Sequence, residues 1–244
     1  MLQAVFFDLD GTLCAPSAPF AEVFTRCCVP LLSGSRHHKA ADLLDSFGTA
    51  LTRPGPSSAA SCLHCALGVC RATGVDTAGI TESAAALTRE WARAQRLLPG
   101  ATATLRALAE SLPLGLITNG PSDMQRAVVA HLDIVPLVRW IVVSGDDSVG
   151  VRKPDPAIFR HALALAQCSP EHALYVGDSA TSDVAGAASA AMRTCWLNPS
   201  GQPLPPGVPE PDLQVSSIGE LSVMCAVEAR MLPGSGQSPA TTKR

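Results

Sequence analysis

The chain has 244 residues, of which 47% are hydrophobic and only 16% charged, and its formal net charge is −3. That length suits one large α/β domain, or a core domain that carries a smaller insert. The near-neutral charge offers no general attraction to nucleic acid or to an anionic membrane, so neither partner is expected.

From Met1 the sequence runs directly into a β-like stretch, with no basic leader and no small-residue cleavage site. No apolar stretch approaches the roughly 20 residues that a bilayer crossing needs. A soluble, cytoplasmic protein is the expectation. Nine cysteines, an odd number, argue in that setting for reduced thiols over a disulfide framework. Cys62-Leu-His-Cys65 has the spacing of half a zinc site, but no second CxxC or HxxxH completes it. Small packing residues on a helix are the better reading.

Five short, β-branched-rich runs predict strands at Ala4–Phe7, Leu114–Ile117, Trp140–Val143, Leu174–Val176 and Thr194–Leu197, and a sixth covers Leu213–Val215. Alanine-rich helical segments lie between them at Ala101–Ser111, Ser122–Leu132, Pro156–Ala166 and Ser182–Ala191, and a last helix begins near Ile218 and runs to Ala229. Such alternation predicts βαβ units and a parallel sheet. One interval breaks it. Residues 15–97 show helix-like patterns at Ala18–Leu32, His38–Leu51, Ala60–Thr73 and Thr81–Arg96, a Pro/Gly/Ser-rich loop at Arg53–Ser58, and no convincing strand. The expected organisation is therefore a core of residues 1–14 and 98–232, a helical cap of residues 15–97 and a disordered tail of residues 233–244. One continuous domain with peripheral helices is the alternative.

The chemistry-bearing residues fall at the predicted ends of strands. The first strand runs into Asp8-Leu9-Asp10-Gly11-Thr12. Carboxylates two apart on an extended segment share a face, and at the carboxyl end of a parallel strand they look into the crevice where ligands bind. Two such charges repel unless a cation separates them or one is protonated. Gly11 permits a sharp exit. Taken alone, this is equally a solvated turn. The second strand ends at Thr118-Asn119-Gly120, which brings a hydroxyl to the same edge. Lys153, one of three lysines in the chain, stands just before a helix that opens with Pro156 and could neutralise phosphate charge. Alone, it would be an ordinary surface cation. The fourth strand leads into Gly177-Asp178-Ser179-Ala180-Thr181-Ser182-Asp183, two more carboxylates suited to a hard cation. Asp183 could equally cap the following helix, or do both.

In this order the four motifs resemble those of the haloacid dehalogenase superfamily, and the resemblance runs from Met1 to about Cys225. It implies a Rossmann-like three-layer α/β core with an inserted helical cap. It also implies a phosphatase in which Asp8 is the nucleophile and Asp10 the general acid and base. Mg²⁺ would be held by Asp8, the backbone carbonyl of Asp10 and Asp178, with Asp183 supporting directly or through water, and Thr118 and Lys153 would bind the phosphate with the backbone of Leu9 and Asn119 adding donors. Dehalogenases of the superfamily generally lack an aspartate at the position of Asp10, so its presence favours phosphoryl transfer. The Thr118-Asn119-Gly120, Gly150–Pro154 and Thr194–Asn198 stretches, with Val215–Ser217, resemble the pyrimidine 5′-nucleotidase and N-acylneuraminate-9-phosphatase subgroup. The expected partner is a small phosphate ester and the expected state a monomer or weak dimer. A phosphomutase, or a binding protein on a retired catalytic scaffold, is the competing reading. In the helical block Arg26, Arg36, His37, His38, Arg53 and His64 could contact substrate, but a surface residue is the better reading of each. Phe20 and Phe24 have the i,i+4 spacing of residues that face a core, and Phe47 and Trp91 are the other notable aromatic residues of the block. Cys14 is expected to pack at the hinge of the cap.

Overall fold

The hydrophobic runs that predict strands have apolar side chains at successive positions, the pattern of strands buried on both faces. The computed structural model, which describes residues 2–32, 40–52, 61–74 and 76–221, assembles them into one six-stranded parallel sheet. Its strands are β1 (Ala4–Phe7), β4 (Leu114–Thr118), β5 (Trp140–Val143), β6 (Ala173–Gly177), β7 (Arg193–Leu197) and β8 (Leu213–Val215). Their order across the sheet is β5-β4-β1-β6-β7-β8. Alternate residues of the central strands feed two different cores. Val5, Phe7, Leu114 and Leu116 pack with Leu105 of α5 (Ala101–Ala109) and Val128 of α6 (Ser122–His131). Phe6, Ile117 and Tyr175 pack on the other face with Ile158 and Phe159 of α7 (Pro156–Ala166). Helices on both sides of a parallel sheet make the three layers expected from the sequence.

Between β1 and α5 lies the helical block: α1 (Phe20–Leu32), α2 (Ala40–Thr52), α3 (Cys62–Thr73) and α4 (Ile80–Ala94). Its helices share a core of their own, in which Phe24, Phe47, Leu87 and the thiols of Cys28, Cys62 and Cys65 are buried. Phe20 and Phe24 do face that core, and Phe47 and Trp91 join them there. Phe20 meets Trp91 edge-on at 5.0 Å, and Phe24 meets Phe47 at 5.2 Å.

The interval is not wholly helical. β2 (Cys14–Pro16) and β3 (Gln95–Leu97) form an antiparallel ribbon where the chain leaves and re-enters the core. Three-residue strands, one ending in proline, are too short for alternation to register. The segment Ser182–Ala191 also differs from expectation. A wide helical turn, Ala180–Val184, precedes a short α8 (Ala185–Ser189), and Ala191 leaves the helix at φ 60°. The loop at Arg53–Ser58, the tail after residue 232 and most of the last predicted helix lie outside the described residues, as do Arg36, His37, His38 and Arg53. No helix of the described residues is long and apolar enough to cross a membrane.

Among the described residues, a polar contact fastens the block to the core. Asp123, in the first turn of α6, accepts the Cys62 N–H through both carboxylate oxygens, at 2.9 and 3.1 Å. That N–H opens α3 and has no partner within its own helix, and the helix dipole there favours an anion.

Candidate active site

Register brings the motifs together. Phe7 of β1 stands opposite Leu116 of β4 on one side and Val176 of β6 on the other, so the three strands end close together at one edge. Asp8 follows directly, and its N–H is held by the Val176 carbonyl at 2.9 Å. Thr118 closes β4 and is buried at the same edge. Gly11 turns the chain away at φ 85°, and a Cβ there would collide with the Asp178 carboxylate. Only glycine combines that conformation with such a close approach.

Lys153 is not a surface cation. Its ammonium donates to Asp8 Oδ1 at 2.6 Å, Asp183 Oδ1 at 2.7 Å and the Tyr175 hydroxyl at 2.9 Å. Lys153, Asp8 and Asp183 are 5%, 7% and 1% exposed, so these charges are paired away from water. Burial alone would lower the Lys153 pKa, but the two carboxylates beside it more than restore it. Burial pushes the Asp8 carboxyl well above the usual carboxylate range, against the pull of Lys153 and helped by the charge of Asp183. One ammonium thus faces more negative charge than it can balance.

Asp178 and Asp183 are held by the turn that follows β6. Asp183 does not cap α8. Its Oδ2 accepts the Ser179 N–H at 3.0 Å, which folds the turn back on itself, and Val184 occupies the position before α8. Thr12, the last residue of the first motif, donates to Asp178 Oδ1 at 3.2 Å, and the Trp196 indole donates to the Asp178 carbonyl at 2.9 Å. Carboxylate oxygens of Asp8, Asp178 and Asp183 lie within 4.8 Å of one another. The donors are all hard oxygens and carry more negative charge than Lys153 offsets, so this set fits a hard dication. Asp183 already has both oxygens engaged, while Asp178 is exposed. Asp10 is outside the cluster: its carboxyl Oδ2 accepts the Gln125 amide at 2.8 Å. Burial raises the Asp10 pKa, with the Gln125 hydrogen bond and Lys153 acting the other way.

The side chain of Asn119 is engaged by the loop that carries Lys153. Its Oδ1 accepts the Lys153 N–H at 2.9 Å and its Nδ2 donates to the Lys153 carbonyl at 3.1 Å, a clamp on the backbone that carries the lysine. Tyr175, Thr12, Trp196 and Gln125 also belong to the site, and sequence reasoning does not single them out. Thr12 and Trp196 do have a signal, their places in the first motif and in the Thr194–Asn198 stretch. The half zinc site does not assemble around its histidine: Cys62 and Cys65 are buried in the apolar cluster, whereas His64 is exposed. Arg26 is exposed as well.

Comparison with known proteins agrees with the geometry. The chain is 27% identical over 235 residues to the N-acylneuraminate-9-phosphatase of Mus musculus, covering 91% of this chain and 93% of that protein. It is 38% identical over 126 residues to a pyrimidine 5′-nucleotidase of Escherichia coli, 51% of this chain and 54% of the relative. Several curated relatives are matched over only 42% to 59% of their own length. Among solved structures, a 2-haloacid dehalogenase from Pseudomonas syringae superposes with a TM-score of 0.72 at 25% identity, over 93% of this chain and 100% of that one. The profile of the haloacid dehalogenase-like hydrolases matches residues 2–191, and the chain belongs to that family.

Proposed function

We propose that this chain is a Mg²⁺-dependent phosphatase that hydrolyses small phosphomonoesters through a phosphoaspartate on Asp8. The observation that carries the reading is the separation of the two carboxyls of the first motif. Asp8 is paired with Lys153 beside Asp178 and Asp183, whereas Asp10 is held apart by Gln125. A nucleophile and a proton carrier need such different surroundings.

Asp8, with Asp178 and with Asp183 behind it, would hold the ion. Bound there, Mg²⁺ supplies positive charge that lets an anionic phosphoryl group approach an anionic nucleophile. Asp8 attacks phosphorus and the ester P–O bond breaks. Asp10 gives its proton to the departing alkoxide, a role that suits a buried carboxyl with a raised pKa. Asp10 then takes a proton from water, which attacks phosphorus and releases phosphate from Asp8. Lys153 and Thr118 bind the phosphoryl oxygens, and the clamp of Asn119 keeps the lysine in place. The mouse relative, matched over 93% of its length, is named as a phosphatase, which supports phosphate over halide as the leaving chemistry.

In this reading residues 15–97 form a cap over a core of residues 1–14 and 98–232, and the cap selects the substrate. Phe20, Phe24, Phe47 and Trp91 are spent on one another, so among the described residues of the block no aromatic face is left to stack a base. Base–aromatic stacking is worth about 1–3 kcal/mol, and without it a tight nucleotide preference is not expected. Sugar, sugar-acid and nucleoside monophosphates should all be turned over with high KM.

The test is phosphate release from a panel of such esters, with halide release from 2-chloropropionate as the rival assay. Phosphate release should vanish with chelator and return with Mg²⁺. Asp8→Asn should fold normally and lose about 10⁴-fold or more, because an amide is a poor nucleophile. Halide release without phosphate release, or an active Asp8→Asn, would overturn the proposal.

A further inference from the structure

Gln125 stands in the second turn of α6, away from every motif, yet its side chain reaches the first of them. Its Nε2 donates to Asp10 Oδ2 at 2.8 Å and to the Asn119 carbonyl at 2.9 Å. A backbone carbonyl can only accept, so the nitrogen of the amide, and not its oxygen, must face this pair. Space for the amide is made at Gly120, where φ is 152° and an added Cβ would stand 2.8 Å from Nε2. The Gly120 N–H is tied to the Ser144 hydroxyl at 3.0 Å, which fixes the start of α6 against β5. Asn119, whose carbonyl receives Gln125, clamps the Lys153 backbone with its side chain. One short connection therefore holds both the lysine on Asp8 and the carboxyl of Asp10.

The two remaining oxygens of the contact, Asp10 Oδ1 and Gln125 Oε1, are buried without a hydrogen-bond partner. A buried carboxyl oxygen left unpaired is costly, and such atoms concentrate where a ligand or a reacting proton completes the set. We propose that Gln125 is a positioning residue for proton transfer: its amide holds Asp10 Oδ2 and so reserves Oδ1 as the oxygen that exchanges the proton with the leaving group and with water. The inference rests on the phosphatase reading and on Asp10 as its proton carrier. It adds the group that orients that carrier, taken from a part of the chain where no motif lies.

The experiment compares leaving groups. Gln125→Met keeps length and removes the donor, and Gln125→Glu keeps shape while turning an acceptor toward Asp10. Each is assayed with p-nitrophenyl phosphate, whose leaving group needs little protonation, and with glycerol 3-phosphate, whose leaving group needs it. Single-turnover formation of the phosphoenzyme is followed, with rates normalised to the folded fraction from circular dichroism. For glycerol 3-phosphate both variants should lose about 10- to 100-fold in the rate, with KM within about threefold. For the aryl ester the same step should change by less than about threefold. Equal losses on both esters, or no loss on either, in whichever variant folds, would show that Gln125 is merely structural. Wild type and Asp8→Asn run alongside separate the two possible failures. A wild type that hydrolyses neither ester removes the phosphatase reading and this inference with it. A normal wild type whose leaving-group dependence survives both substitutions removes only the role of Gln125.

Discussion

At the carboxyl edge of β1 the buried material is charge, whereas inside α1–α4 it is sulfur and aromatic carbon. Lys153 lies between Asp8 and Asp183, at 2.6 and 2.7 Å, and also donates to the Tyr175 hydroxyl. The helical block instead buries Cys27, Cys28, Cys62, Cys65 and Cys70 among phenylalanines, and every cysteine among the described residues is a buried free thiol. Charges far from water tolerate no change of partner, because desolvation penalises any left unpaired. Apolar side chains of similar volume can be exchanged at small cost. The same chain thus carries one region in which single atoms matter and another in which volume matters.

Lys153→Met tests the first region and should have the largest effect. It leaves Asp8 and Asp183 without their shared cation, which should cost about 3–5 kcal/mol in urea unfolding and at least about 100-fold in kcat. Full stability in that variant would mean that one of the two carboxyls is neutral in the native protein.

Asp123→Ala tests the seam between the regions. Removing the acceptor of the Cys62 N–H should cost about 1 kcal/mol, as for the loss of a helix cap. KM should change more than kcat, because the substitution loosens the attachment of α3 to α6 and leaves Asp8, Asp10 and Lys153 in place. An equal loss in kcat would show that the helical block holds the catalytic groups themselves.

Cys65→Ala should have the smallest effect, with activity within about threefold of wild type, since it exchanges one small apolar group for another. Burial pushes the thiols of Cys28 and Cys62 up to about 12 and that of Cys65 up to about 11. Only thiolates alkylate readily, so iodoacetamide at pH 8 should label these three slowly in native protein and rapidly in urea. Fast native labelling at Cys65 would overturn the comparison, because it would mean that the interior of the block opens to solvent.

The six parallel strands are legible in the residues themselves, and β1, β5 and β8 match their expected bounds. A strand buried on both faces is an uninterrupted apolar run, and helix starts such as Asp155-Pro156 are chemically marked. The ribbon of β2 and β3 is not legible, because three residues carry no period. Tyr175 reads only as one more apolar residue of β6, and only the fold shows its hydroxyl between Lys153, Asp183 and the Ile117 carbonyl.

By itself the sequence determined that four motifs would meet: each stands at a strand end or a helix start, and in a parallel sheet those points share one edge. The tertiary structure alone decided how they divide the work. It gave Lys153 to Asp8 and Asp183 across 145 and 30 residues, set Asn119 to hold the lysine backbone, and brought Gln125 to Asp10 across 115 residues. Hydrogen bonds of that kind depend on distances of a few tenths of an ångström between segments far apart in the chain, and no local pattern of residues encodes them.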